Sequence, residues 1–230
     1  MEGGTETKLK KEVDRVNYLI IDTETAGGLE NPIVYDLGGI VVNNKGNILH
    51  KFSFVISDIF YKRELMNTAY YKEKIPLYER DIFHGRRRVA TFEQVYLFIQ
   101  WLLDKYQIKA VLAYNMRFDL SALNNTRRYL NQGEYFFPYA LDKQCIMCMT
   151  QDTLCKQKAY SKFCHKNGYL TKTGRLRSTA EIVYRYIKML NDFTESHTGL
   201  EDVLIEWEIW KKVVRQHKKM RRHYWDKVPK

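Results

Sequence analysis

The stretch Val16-Asn-Tyr-Leu-Ile-Ile-Asp22-Thr-Glu24 joins a short apolar run to two acidic residues. An apolar run of this length that ends at a polar residue predicts a buried β-strand. Side chains two residues apart on a strand point to the same face, so we expect Asp22 and Glu24 to converge. Adjacent like charges are unfavourable, and a divalent metal between them is the simplest remedy. Oxygen ligands suit Mg²⁺ or Mn²⁺. Two solvated acids at a strand end are the alternative.

The remaining apolar patterns are typical of an α/β layered domain. Residues 33–42 and 49–56 are predicted strands joined by a hairpin turn at 43–47, and residues 109–114 form a further strand. Apolar residues at helical spacing predict helices over 92–106, 118–130, 145–155, 155–167, 179–190 and 199–214. Strands come early and helices late, with alternation around 92–130, which favours an α/β fold over a helix bundle or a sandwich.

The charge balance predicts a polyanionic partner. The 230 residues carry a formal net charge of +11, so nucleic acid and an anionic membrane surface are both compatible with it. We expect a flexible arm at 1–15, a single domain at 16–210 and a basic C-terminal tail at 211–230. That tail is either a phosphate-binding segment or a solvated helix end.

Targeting signals are not evident in the sequence. The polar N-terminus has no apolar segment of a secretory signal, and no apolar run approaches the roughly 18–20 residues of a membrane helix. The sequence therefore predicts a cytoplasmic protein without a membrane segment.

Four cysteines lie within 20 residues, and a histidine follows the last of them. They are Cys145, Cys148, Cys155 and Cys164, with His165 adjacent. Cys145 and Cys148 have the spacing of one half of a zinc site, but no second close pair follows. Cysteines on buried helices behave as small hydrophobic residues, and this is the interpretation that we favour over structural zinc.

A second acidic motif follows the strand predicted at 109–114. Asn115 is a residue type that commonly caps helices, and Asp119 falls in the first turn of the next predicted helix. The ends of strands in open α/β sheets are where ligands bind. Alternatively, Asp119 only complements the helix dipole.

A third motif, His-Thr-Gly-Leu-Glu-Asp, ends at Asp202. Thr198 and Glu201 have the spacing of a capping box, which predicts that a helix begins at Gly199. His197 then lies just before the helix on a movable loop, whereas Asp202 is fixed in the first turn. This arrangement suits a rigid metal ligand beside a mobile base, although a structural loop histidine remains the alternative.

Together, these three motifs resemble the DEDDh (DnaQ-like or RNase T-like) family of 3′→5′ exonucleases over about residues 16–208. The resemblance implies a ribonuclease-H-like fold, with a mixed central β-sheet flanked by helices. It also implies two Mg²⁺ (or Mn²⁺) ions held by Asp22, Glu24, Asp119 and Asp202, with His197 as general base. Thr25, Asn115 and Phe118 are the corresponding candidates to hold the last nucleotide.

The substrate class stays open at this stage. We expect single-stranded DNA or a DNA 3′ end, and a polymerase or replication complex as a further partner. RNA 3′-end trimming uses the same kind of site and is the first alternative. A second alternative is a non-catalytic nucleic-acid-binding or polymerase accessory module that uses the Arg86-Arg-Arg88 run and the basic tail.

Overall fold

The computed structural model describes residues 16–190, 192–195 and 197–229, and the predicted N-terminal arm lies outside them. The described residues form a six-stranded mixed sheet. Its strands are β1 (Asn17–Ala26), β2 (Ile33–Asn43), β3 (Ile48–Ile56), β4 (Arg88–Ala90), β5 (Ile108–Ala113) and β6 (Asp142–Cys145). The order across the sheet is β4-β3-β2-β1-β5-β6. β1 pairs antiparallel with β2 and parallel with β5, which makes it a central strand.

Nine helices in the described part of the chain cover the sheet. They are α1 (Ser57–Phe60), α2 (Arg63–Met66), α3 (Ile75–Phe83), α4 (Phe92–Lys105), α5 (Met116–Tyr129), α6 (Ile146–Asp152), α7 (Lys158–Asn167), α8 (Ala180–Lys188) and α9 (Gly199–Val214). A short 3₁₀ helix (Lys72–Lys74) precedes α3. α4 begins with a capping box, because the Thr91 hydroxyl accepts the Gln94 amide while the Gln94 side chain accepts the Thr91 amide. The predicted α/β architecture with a mixed central sheet flanked by helices is confirmed.

Alternate residues of β1 enter two separate hydrophobic cores. Ile21 packs into the core that also holds Leu123 of α5, and Ile20 packs into the core that also holds Val203 of α9. Both isoleucines are fully buried because the strand has a helical layer on each face. The same alternation directs Asp22 and Glu24 toward the α9 side of the sheet and Thr23 toward the α5 side.

The prediction of a helix over 145–155 is wrong at its beginning. Residues Asp142–Cys145 form edge strand β6, which pairs parallel with β5, and α6 begins only at Ile146. β4 was also absent from the predicted elements. Both strands have four residues or fewer, so their pairing with a neighbouring strand, rather than an alternating pattern of their own, determines their structure.

α9 lies unusually close to the sheet at its first residue. A Cβ atom placed on Gly38 of β2 would lie 2.1 Å from the carbonyl carbon of Gly199, so only glycine permits this approach. The contact brings the first turn of α9 directly against β1 and β2. Among the described residues, no helix is long and apolar enough to span a bilayer.

Candidate active site

Three carboxylates from two elements meet at the end of the sheet. Asp22 and Glu24 come from β1, and Asp202 comes from the first turn of α9. One oxygen from each of them lies within 4.8 Å of the others. Opposite oxygens around a bound Mg²⁺ are about 4.2 Å apart, since each Mg–O distance is about 2.1 Å. The donor set and its spacing therefore fit a small divalent cation.

The electrostatics of this group also favour a cation. Burial, followed by the charges of Glu206 and Asp119, raises the pKa of Asp22 well above its ordinary value. Burial, followed by the charges of Asp202 and Asp36, raises the pKa of Glu24 to about 9. The metal-free protein can relieve this repulsion only by binding protons, whereas a divalent cation would relieve it with the carboxylates ionised.

Asp119 reaches the group from the opposite side of β1. It lies in the first turn of α5, and its Oδ1 accepts a hydrogen bond of 2.9 Å from the Thr23 hydroxyl. Burial raises its pKa to about 7, and that hydrogen bond partly opposes the rise. Its charge acts on Asp22, so Asp119 belongs to the same electrostatic site although it is not one of the three closely spaced carboxylates.

His197 is held beside Asp202 in an uncommon backbone conformation. Its φ of +53° lies in the left-handed region, which few residues other than glycine adopt. Its Nδ1 lies 4.0 Å from Oδ2 of Asp202. Its ring stacks on Tyr71, with 4.0 Å between centroids and 11° between planes. Burial, assisted by Lys74, lowers its pKa, so the imidazole is neutral near pH 7.

A buried carboxylate on β2 anchors the beginning of α9. Oδ2 of Asp36 accepts the Tyr78 hydroxyl at 2.6 Å and the Gly199 amide at 3.1 Å. Arg87 lies 3.6 Å from the same oxygen and 3.8 Å from Glu201. The segment between β3 and β4, which supplies Tyr78 and Arg87, is thus linked to the helix that carries Asp202.

A cavity of about 570 Å³ opens onto Asp22 and Asp119. Asn115 and Phe118, two of the candidates to hold the last nucleotide, line this cavity, whereas the third candidate, Thr25, does not line it. Asn115 occupies the predicted N-cap position of α5, but its side chain makes no capping hydrogen bond among the described residues there and instead borders the cavity. Exposed Arg177 supplies a positive charge to the wall.

Glu206 is a site residue that the sequence motifs did not indicate. It follows Asp202 by one helical turn and is buried, and its Oε2 accepts the backbone amide of Tyr114 at 3.0 Å. Burial, followed by the charge of Asp119, raises its pKa well above the ordinary value. An acid four residues after Asp202, on the inward face of an apolar helix, is the signal that could have identified it.

Glu195 is a second residue that the motifs missed. It lines the cavity, and burial together with Asp202 raises its pKa to about 8. It also belongs to a group of three possible metal ligands, whose donor atoms lie within 4.8 Å of one another and come from Glu181, Glu195 and His197. Its only sequence signal is its position two residues before His197, and that position is informative only if His197 is already taken as a site residue.

Two of the arginines behind the alternative interpretations are engaged within the protein. Arg87, the middle of the arginine run, is buried against Asp36, and Arg221 of the basic tail pairs with Asp152 at 2.8 Å. Cys145, Cys148 and Cys164 are buried free thiols, and Cys155 is half-buried. Across the described ranges, the groups that could hold an ion contain no cysteine.

Several solved structures of similar fold are nucleases, whereas no protein-family model and no curated protein matches the sequence. One is a 3′-exonuclease whose structure shows 3′-end-specific recognition of the histone mRNA stem-loop. Its TM-score is 0.59 at 13% sequence identity, and the match covers 90% of this chain and 85% of that exonuclease chain. E. coli exonuclease I in complex with a dT13 oligonucleotide has a TM-score of 0.53 at 13% identity, over 86% of this chain and 41% of its own. Cell-death related nuclease 4 (CRN-4) has a TM-score of 0.51 at 14% identity, over 90% of this chain and 66% of its own. This chain therefore has the ribonuclease-H-like fold that the motifs predicted.

Proposed function

We propose that this protein is a metal-dependent 3′→5′ exonuclease of the DEDDh type, which releases nucleoside 5′-monophosphates from a nucleic acid. The observation that carries the proposal is the group formed by half-buried Asp22 and buried Glu24 and Asp202, with Asp119 beside it and His197 at its edge. Holding so many acids close together is costly for a structural site and is typical of a site that binds a cation. The nuclease structures of similar fold add support.

The four family carboxylates would hold two Mg²⁺ or Mn²⁺ ions. When bound, such ions stabilise the charge that develops on the entering and leaving oxygens of the phosphate. Asp22 and Glu24 are fixed by the sheet, and Asp202 by the Gly38–Gly199 contact, so these oxygens are held in position before substrate arrives.

His197 acts as the general base. Its lowered pKa keeps the imidazole neutral near pH 7, and its unprotonated ring nitrogen accepts the proton of the attacking water. The new bond joins the water oxygen to phosphorus, and the bond from phosphorus to the 3′-oxygen breaks. The shortened strand keeps a 3′-hydroxyl, and the released nucleotide keeps the phosphate. Stacking on Tyr71 limits the rotation of the imidazole ring.

The terminal nucleotide occupies the cavity beside these residues. Phe118 offers a ring for its base or sugar, and Asn115 offers an amide. Thr25, outside the cavity wall, would offer backbone groups where β1 faces the bulge in β2. Arg177 is suited to the next phosphate. The net charge of +11 favours a polymer over a free dinucleotide, and we take single-stranded DNA as the first substrate, with RNA as the alternative. Association with a polymerase or replication complex rests on the family resemblance alone.

End-labelled substrates test this proposal. Single-stranded DNA and RNA, labelled at either the 5′ or the 3′ end, are incubated with the protein in Mg²⁺ or in EDTA. The proposal predicts a descending ladder from the 5′-labelled strand and immediate release of the 3′ label. Both should disappear in EDTA and in Asp22→Asn. Binding without cleavage in Mg²⁺ would instead identify an accessory module, and release of the 5′ label first would contradict the polarity.

A further inference from the structure

A concave group of exposed aromatic side chains lies outside the active-site cavity. A groove of about 630 Å³ is bounded by α5, the start of edge strand β6 and the C-terminal segment. We call it the aromatic groove, after Tyr135, Phe137, Tyr139 and Trp225 in its wall. Tyr135, Tyr139 and Trp225 are 69%, 101% and 58% exposed. Single exposed aromatics are common, but a concave cluster of them indicates a binding surface.

Polar anchors hold the tyrosine side of this groove in place. The amide of Phe136 donates to Oδ1 of Asn124 at 2.9 Å, which ties the loop to α5. Nζ of Lys143 donates to the carbonyls of Pro138 and Tyr139 at 2.6 and 2.9 Å. The loop backbone is therefore fixed while the rings of Tyr135 and Tyr139 stay in solvent, as in a surface organised before its ligand binds.

The C-terminal segment fixes the opposite side. The carbonyl of Arg222 accepts the amide of Cys145 at 2.7 Å, so this segment covers the open edge of β6. His223 lies 2.7 Å from Oδ1 of Asp142, and its ring stacks on Trp225 with 4.7 Å between centroids. Part of the predicted basic tail thus positions an exposed indole.

The aromatic groove is linked to the active-site cavity around α5 by a smaller hollow. Phe118 lines the active-site cavity, and Arg117, Phe118 and Ser121 line a smaller hollow beside it. Leu120 and Asn124 line the aromatic groove. Residues three and four apart are neighbours on a helix surface, so these sites adjoin around one helix. Phe118 and Asn124 are separated by a rise of about 9 Å.

We infer that the aromatic groove binds unpaired bases of the strand whose 3′ end lies in the active site, an inference that rests on the proposed function. Aromatic rings accept every base, because each base presents a π-face for stacking. Arg128, Lys143 and Arg222 lie beside the groove and donate to neutral carbonyl or amide oxygens, so their positive charges can still attract the phosphate backbone. Asp142, an acid in the groove wall, is already paired with His223. The ligand is single-stranded nucleic acid, several nucleotides 5′ of the scissile phosphate.

Binding in EDTA tests this inference without requiring hydrolysis. The probe is a fluorescent oligothymidylate of about 12 nucleotides, within the range of single-strand binding sites. A second set of probes carries one abasic site, moved stepwise from the 3′ end. The variants are Tyr139→Ala, Trp225→Ala and the control Phe83→Ala, whose ring is exposed on α3 outside the groove. Because Tyr139 is fully exposed, its truncation removes no packing.

We expect Tyr139→Ala and Trp225→Ala to weaken binding by about fivefold or more, and Phe83→Ala by less than about twofold. Wild-type protein should lose affinity at one or two abasic positions, and Tyr139→Ala should be insensitive there. Unchanged binding in both groove variants would overturn the inference. So would a wild-type dimer that Tyr139→Ala dissociates, since a second copy would then cover the groove. Loss of hydrolysis in Mg²⁺ with the binding pattern intact would contradict the proposed function alone.

Discussion

Replacing Glu24 by glutamine should stabilise the metal-free protein, because the carboxylate is costly where it lies. In the folded state its pKa is about 9, whereas an exposed glutamate ionises near 4.5. At any pH between these two pKa values, Glu24 carries a proton in the folded chain that it has released in the unfolded chain. The free energy of unfolding therefore falls with rising pH by about 1.4 kcal/mol per pH unit for one such group. Glutamine has a similar shape and no proton to bind.

The magnitude follows from the pH window. From pH 5 to pH 8, ionisation of Glu24 can lower the free energy of unfolding of wild type by at most about 4 kcal/mol. Because neighbouring carboxylates share protons, we expect a loss of about 2–4 kcal/mol. Glu24 is only 7% exposed, so solvent screening removes little of this. A chain of this size changes its Tm by about 2–4 °C per kcal/mol. Metal-free Glu24→Gln should therefore melt about 4–16 °C above wild type at pH 8 and within about 2 °C of it at pH 5.

The assay is thermal unfolding in EDTA at pH 5, 6, 7 and 8. The matched control is Glu30→Gln, which changes the same residue type on the exposed β1–β2 connection. Mg²⁺ is then added back to each protein. A saturating ion should stabilise wild type by about 2.7 kcal/mol at one hundred times its dissociation constant, and should stabilise Glu24→Gln far less.

Two results would refute this reasoning. A variant that is less stable than wild type at pH 8 would show that the carboxylate contributes favourable contacts in the metal-free state. An equal gain at pH 5 and pH 8 would show that packing, rather than proton uptake, produces the change.

Three further predictions concern the elements around the carboxylates. His197→Ala should lower the hydrolysis rate by about 10²–10⁴-fold while Mg²⁺ stabilisation persists. Because burial lowers this pKa, the wild-type rate should rise with pH to a plateau with a midpoint below 6.5, and a midpoint above it would contradict the assignment. Gly38→Ala should cost about 3 kcal/mol in urea unfolding, since its Cβ meets Gly199, and a neutral change would mean that α9 moves freely. Tyr78→Phe removes the hydrogen bond to Asp36 and should lower the free energy of unfolding by about 1–2 kcal/mol. It should also lower kcat more than it raises KM. An unchanged kcat would show that this hydrogen bond contributes to stability alone.

Much of the fold could be predicted because its main elements have local signals. The apolar run before Asp22 predicted β1, and helical spacing predicted α4 and α5. The spacing of Thr198 and Glu201 predicted that α9 begins at Gly199, although the expected capping box is not formed among the described residues, because the Thr198 hydroxyl donates to the Glu201 carboxylate. The four carboxylates and the histidine belong to such elements, so their proximity could be expected before the structure was known.

The remainder depends on tertiary contacts that carry no local pattern. The helices within residues 57–74 have only three or four residues, so Tyr71, which stacks on His197, has no periodicity to identify it. The sequence around Asp36 gives no sign of its function, because its contacts with Tyr78 and Gly199 form only in the folded chain. Trp225 lies in a segment that was predicted to be a tail because of its positive charge. In the structure, contacts of the neighbouring residues with β6 fix its position.

Product analysis in oxygen-18-labelled water tests the central claim most directly. A single-stranded DNA oligonucleotide is digested in Mg²⁺ by wild type and by Asp22→Asn, and the products are identified by mass spectrometry. The account predicts nucleoside 5′-monophosphates carrying one labelled oxygen, strands that shorten one nucleotide at a time with 3′-hydroxyl ends, and no products from Asp22→Asn. Strands ending in a 3′-phosphate, unlabelled mononucleotides, or an active Asp22→Asn protein would contradict it.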